Sequence, residues 1–322
     1  MASLGTRLVS SLLGVILCMG VAGAHDGPEH QIEVLSERLI REGNSADVLL
    51  ERAIEYRVLG RLTQAVRDLE RALRLAPADS LVLRELAQIE LQRGRVSKAL
   101  LWVQRTLEIP DLAAGERSAV LMIRSHCRGV ESAGMKALED CSEALRWNPQ
   151  LVSAYLERSA WQRRLRLPQE RILGLEEGIR RTGAGLLVVE RIEALIDDGQ
   201  WQQALEAVEP ELMSSRLQSS WRIRRARALK GLGRWSEAER DLLSALEEIE
   251  LRMPRQVKDS SLILDRALAR ELLGQTAAAI QDYQLAAGCG GGEEALEASR
   301  RLRKTLTGRS FWKWCPRIRP AL

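Results

Sequence analysis

One phenylalanine and three tyrosines in 322 residues leave few of the residues that strands prefer, whereas leucine, alanine, arginine and glutamate abound. Straight-chain residues and alanine lose little freedom in a helix, so the expectation is an all-α protein. Catalytic motifs are missing too. There is no HExxH, no GxSxG and no phosphate loop ending in GK, and the run GCGGG lacks the strand and spacing of a dinucleotide site. Only three histidines occur, His25, His30 and His126, and no CxxC pair offers redox chemistry. These absences argue against an enzyme, and no cofactor or metal is expected.

What is present at the start is MASLGTRLVSSLLGVILCMGVAGA: one charge, Arg7, then an uncharged run closing on Ala22-Gly23-Ala24. A basic start, an apolar middle and a small-x-small end predict a signal peptide over residues 1–24, cleaved before His25, and hence export to a periplasmic or extracellular space. Such a compartment permits disulfides, and Cys127 with Cys141 is the candidate pair, on the two helices of one hairpin; the competing reading is two small core residues. After cleavage His25 and His30 would suit copper. Without supporting partners, HDGPEH is read instead as an unstructured leader.

The spacings carry the main signal. Gly60 to Gly94 is 34 residues, and so are Ala65 to Ala99, Gly199 to Gly233, Trp201 to Trp235 and Ala204 to Ala238. That period marks a helical hairpin repeat. Glycine allows the turn between its helices, and alanine lets them approach closely.

These residues resemble the tetratricopeptide repeat family. Its signature positions hold Ala53, Tyr56, Gly60, Ala65, Ala72 and Pro77 in a first unit and Ala87, Gly94 and Ala99 in a second. Later units hold Ala226, Gly233, Ala238 and Ala245, then Ala267, Gly274, Ala279 and Ala286. The resemblance implies a right-handed superhelical solenoid of helix-turn-helix units. About seven would fill residues 46–292, strong over 46–113, 219–250 and 260–288 and degenerate over 118–218. Residues 25–45 would supply a leader and an N-terminal capping helix with Ile32, Leu35 and Leu39 on one face. Residues 293–307 would cap the other end. Two breaks in the period, near IPDLAAGE and near LRMPRQVKDS, predict extra residues between hairpins rather than inside helices.

In such families the first helix of each unit lines a concave groove that binds segments of other proteins. By position, the groove here would hold Leu50, Ile54, Arg57, Arg84, Gln88, Leu91, Leu156, Arg163, Arg227 and Lys230, apolar contacts mixed with cations that favour an acidic partner. Lys and Asn would be needed to clamp a chaperone's terminal carboxylate, and Leu50 and Ile54 stand there instead. Charge is uneven. Eight of the 48 basic residues lie from residue 299 onward with no acid among them, which leaves 40 basic against 44 acidic elsewhere. The tail, 308–322, sets Phe311, Trp312 and Trp314 among Arg309 and Lys313, a composition suited to an anionic membrane surface. Export argues against nucleic acid. Two functions follow: a protein-binding scaffold working through its groove, or an envelope protein attached by its tail.

Overall fold

A computed structural model of the chain describes residues 27–253 and 259–314, with side chains through residue 305. Helices and short turns account for all of it, with no strand among the described residues. A first helix, α1 (Pro28–Glu42), precedes seven hairpins among those residues. They are α2 (Ala46–Val58) with α3 (Leu62–Leu75), α4 (Ser80–Gln92) with α5 (Val96–Leu107), and α6 (Ala114–Val130) with α7 (Gly134–Trp147). Next come α8 (Val152–Arg164) with α9 (Pro168–Thr182) and α10 (Gly185–Asp197) with α11 (Trp201–Ser214). The last are α12 (Ser219–Gly231) with α13 (Trp235–Arg252) and α14 (Ser260–Leu272) with α15 (Thr276–Gly288), followed by α16 (Gly292–Trp314). Two compact units divide the chain after Val188.

The turns explain why the period is legible. In the first, the Gly60 N–H donates to the Arg57 carbonyl (3.0 Å) and the Arg61 N–H to the Tyr56 carbonyl (2.8 Å), which satisfies two carbonyls at the end of α2. That pairing requires a left-handed residue, and Gly60, Gly94, Gly199, Gly233 and Gly274 supply it at φ 71 to 76°. The middle hairpins keep the same turn without glycine: Ser132 stands at φ 61° and Arg166 at φ 58°. Where a helix begins after a polar residue, the cap is visible as well. Asp79 accepts from the Leu81 and Val82 N–H groups, and Asp259 from Ser261 and Leu262.

Within a hairpin, alanines twelve residues apart bring the helices together. Ala53 and Ala65 share a dry cluster with Leu49, Leu69, Leu86 and Ile89; Ala87 and Ala99 share the next with Val103 and Val120. In the second unit Ala267 and Ala279 share one with Ile263 and Tyr283, closed by Ala295 and Leu302 of α16. The degenerate hairpins depart from alanine and compensate by hydrogen bonding. Ser125 donates to the Ala137 carbonyl (3.1 Å), while Arg171, 2% exposed where an alanine is expected, donates from Nε to Ser159 Oγ (3.0 Å). At the N-terminal end, Ile32 and Leu35 are buried and Leu39 packs on the first cluster, although α1 begins at Pro28, so part of the expected leader is helical.

The expected place of the extra residues needs correction. The extra residues do not sit only between hairpins: α6 has 17 residues against 13 in α4, and α13 has 18 against 14 in α3. Each break adds about one helical turn, because a four-residue extension keeps the helical face in register and a loop would leave backbone groups to be satisfied elsewhere. Of the two readings of Cys127 and Cys141, the one as small core residues fits the structure. Cys127 and Cys141 are both free and buried. Cys141 lies 3.2 Å from Ser125 Oγ, whereas Cys127, two residues on and about 200° around α6, packs among Ala87, Leu91 and Ala99. Finally, α16 runs from Gly292 to Trp314, across the expected boundary at residue 307. Residues 1–24, expected to form a signal peptide, His25, and the side chains of Arg309, Phe311, Trp312, Lys313 and Trp314 lie outside the described residues.

Candidate functional site

Within each unit the first helices of neighbouring hairpins approach one another, and in the first unit polar side chains join them. Arg57 on α2 donates to Glu85 on α4 (2.9 Å), and Arg84 on α4 pairs with Glu116 in the added turn of α6 (2.6 Å). His126 on α6 faces Glu157 on α8, Nε2 to carboxylate oxygen 3.6 Å. Burial works against the Glu157 charge, but the His126 imidazole and the nearby Arg164 charge outweigh it and hold that carboxyl below its usual range. Second-unit helices repeat the arrangement. Glu193 on α10 pairs with Arg224 (2.9 Å) and Arg227 on α12, and Arg227 also lies 3.8 Å from Asp197. Asp265 on α14 faces the same network, where burial pushes its carboxyl up to about 6 against the pull of Arg224 and Arg252.

This geometry changes the expected groove. Leu50 (7% exposed) and Leu91 (3%) are core residues rather than lining, because their helix face turns toward the second helices and carries the dry clusters. Arg57, Arg84 and Arg227 are not open cations: a neighbouring first helix supplies each with a carboxylate. Lys230 donates to the Leu272 carbonyl (2.5 Å) and lies over the Trp235 ring, 5.3 Å from its centroid. Ile54, Gln88 and Leu156 are half-buried and Arg163 is exposed, so these four remain reachable. An acidic partner would therefore have to displace internal glutamates over most of the first-helix face. Of the five cations expected in the groove, Arg163 is the exposed one.

A row of half-buried side chains marks the accessible face. One register on the first helices carries Ile54, Gln88, His126 and Ala160 in the first unit, and Glu193, Arg227 and Leu268 in the second. Their chemistry is mixed rather than strongly charged. Among the described residues no group of three His, Cys, Asp or Glu side chains is placed to hold a metal. His30 stands in the first turn of α1, 3.8 Å from Glu33.

Sequence reading passed over one recurrent feature. Arg52 and Asp68, Arg124 and Asp140, Arg225 and Asp241, and Arg266 and Asp282 are each sixteen residues apart, and each pair joins the two helices of a hairpin by charge-assisted hydrogen bonds of 2.6 to 3.0 Å. The spacing was available in the sequence, but it links two helices and does not show in a search for 34-residue intervals. In the hairpin of α8 and α9 the acid is replaced by Gly174, and Arg158 donates to its carbonyl instead (3.1 Å).

Comparison with known proteins agrees with this architecture. Residues 50–115 match the family model of the tetratricopeptide repeat. No curated protein matches the sequence at a significant level. A tetratricopeptide repeat protein from Parabacteroides merdae ATCC 43184 is similar over 80% of this chain and 98% of its own, with a TM-score of 0.57 at 17% identity. Yeast Tom70 is similar over 90% of this chain and 62% of its own, with a TM-score of 0.56 at 15% identity. At such identities the likeness is one of fold.

Proposed function

We propose that this chain is an exported, non-enzymatic scaffold that binds a segment of another protein along the first helices of its hairpins. The supporting observation is the accessible row Ile54, Gln88, His126 and Ala160, four half-buried positions at one register on adjacent helices. Such a row offers apolar and hydrogen-bonding contacts at regular spacing, and repeat proteins use extended surfaces of that kind for binding. The tetratricopeptide repeat match over residues 50–115 includes two of the four positions. Export rests on the composition of residues 1–24, and sequencing the N-terminus of the mature protein tests it.

A photo-cross-linking residue introduced at Ile54 or Gln88, compared with one at Arg67 or Leu101 on the second helices, tests the binding face. The expected result is a partner band in the native host from the first-helix positions alone. Equal labelling from both faces would sink the reading.

A second reading is supported by the helical run of α16 to Trp314, which gathers the basic aromatic stretch Arg309, Phe311, Trp312, Lys313 and Trp314 into one helix. Here the tail attaches the protein to an anionic membrane surface. No described helix is long and apolar enough to cross a membrane. Sedimentation with anionic vesicles, lost on truncation after Thr307, would favour this reading.

A further inference from the structure

Five of the seven described hairpin turns place glycine at the left-handed residue, and Arg166 is the bulkiest exception. A Cβ in that conformation crowds the following carbonyl, so a long side chain there is retained against a local steric cost. The side chain of Arg166 is exposed and makes no ion pair among the described residues. Its neighbours in the last turn of α8, Arg163 and Arg164, are also exposed, and neither has a carboxylate within 4 Å among those residues, although the Arg164 charge acts at longer range on buried Glu157. On the first-helix face, by contrast, Arg57, Arg84, Arg224 and Arg227 all have carboxylate partners.

One member of the group is held in place. Arg164 lies over the Trp161 ring, 4.6 Å from its centroid, and Trp161 is itself 8% exposed. Gly129 of α6 leaves the space the indole needs, since a Cβ there would fall 2.5 Å from the ring. The indole thus gives the guanidinium a fixed seat.

We propose that the turn between α8 and α9 is a docking edge for a short acidic segment of a partner protein, with carboxylates received by Arg163, Arg164 and Arg166. Guanidinium groups suit planar carboxylates, which they can bind through two parallel hydrogen bonds. The basic surface is short. Exposed Glu131 heads the preceding turn and exposed Glu170 lies in the first turn of α9, so a long polyanion following the surface would meet repulsion on either side. Trp161, the ring under Arg164, is buried and covered by that guanidinium, so it offers no free face to a stacking base or to lipid headgroups. Arg163 and Arg164 end a first helix, but Arg166 lies in the turn outside the register of Ile54 and Gln88, so a change at Arg166 tests this edge apart from the first-helix reading.

The test uses the full chain and a fluorescently labelled oligo-glutamate peptide, with binding followed by anisotropy at low and at physiological salt. Arg166→Gly removes the charge and relieves the backbone together, and Ser132→Gly relieves the equivalent backbone position without touching a charge. The expected outcome is that Arg166→Gly weakens peptide binding roughly three- to fivefold while Tm rises by about 2 °C or more. Ser132→Gly should raise Tm and leave binding unchanged. The basic tail is common to all three proteins, so the difference between them reads the turn alone. Wild-type affinity in Arg166→Gly overturns the proposal, as does Arg166-dependent binding of single-stranded DNA or phosphatidylglycerol vesicles that exceeds binding of the peptide.

Discussion

Arg225 grips Asp241 through two parallel hydrogen bonds, Nε to Oδ2 at 2.7 Å and Nη2 to Oδ1 at 2.6 Å, and thereby fastens α12 to α13. Asp241 is only 4% exposed, and Arg225 also reaches Glu209 on α11 (3.2 Å). One guanidinium thus ties a hairpin together and binds it to the hairpin before. Removing the carboxylate would strand a partly buried guanidinium, so Asp241→Ala should lower stability by about 2–3 kcal/mol. Urea denaturation measures this, and a loss below about 0.5 kcal/mol would show that water replaces the acid freely.

Two glycines hold space for tryptophans. A Cβ on Gly231 would lie 2.2 Å from the Trp201 ring, and one on Gly129 would lie 2.5 Å from Trp161. Both glycines sit in helices, where alanine is intrinsically better by roughly 0.5–1 kcal/mol. Overpacking outweighs that gain, and we expect Gly231→Ala and Gly129→Ala each to destabilise by about 1–3 kcal/mol. Thermal unfolding gives the sign: a raised Tm in either variant would contradict the packing described.

Buried thiols should be inert in the folded protein. Burial pushes both Cys127 and Cys141 up to about 12, so neither carries appreciable thiolate at pH 8. Iodoacetamide followed by peptide mass mapping should leave both unmodified under native conditions and modify both in urea. Half-buried Cys289 serves as the internal comparison. A disulfide between Cys127 and Cys141 in non-reducing maps would contradict the arrangement.

Asp265 makes stability depend on pH. Its folded pKa of about 6 lies above the ordinary carboxylate value, so between those two the folded state holds more protons than the unfolded state. Stability therefore falls as pH rises through this window and the penalty is complete above pH 6. We expect Asp265→Asn to stabilise the protein by about 1–2 kcal/mol at pH 7.5, after allowance for partial solvation, with the gain shrinking as pH falls toward 4. A gain independent of pH would assign the effect to packing instead.

Much of the fold was legible because its cause is local. The 34-residue spacing of Gly60, Gly94, Gly199 and Gly233 reports a turn that needs a left-handed residue, and the alanine pairs report helices in close approach. Where local chemistry was substituted, the signal weakened though the structure persisted. Arg166 and Ser132 adopt the glycine conformation, and Arg171 replaces an alanine by hydrogen bonding to Ser159. The added turns in α6 and α13 look like loops in a repeat count, since a longer helix and a longer loop break the 34-residue period alike.

For the candidate site the division is sharper. By itself the sequence determined which residues stand on the first helices, because helical period and signature spacing set a position's register within its own hairpin. Only the tertiary structure decided which of them remain available. Arg57, Arg84 and Arg227 meet carboxylates from neighbouring hairpins, Leu50 and Leu91 turn into the core, and Arg163, Arg164 and Arg166 are left without an ion pair among the described residues. The physical reason is distance: an ion pair forms between side chains that packing brings within about 4 Å, and no intrahelical period encodes the approach of one hairpin to the next.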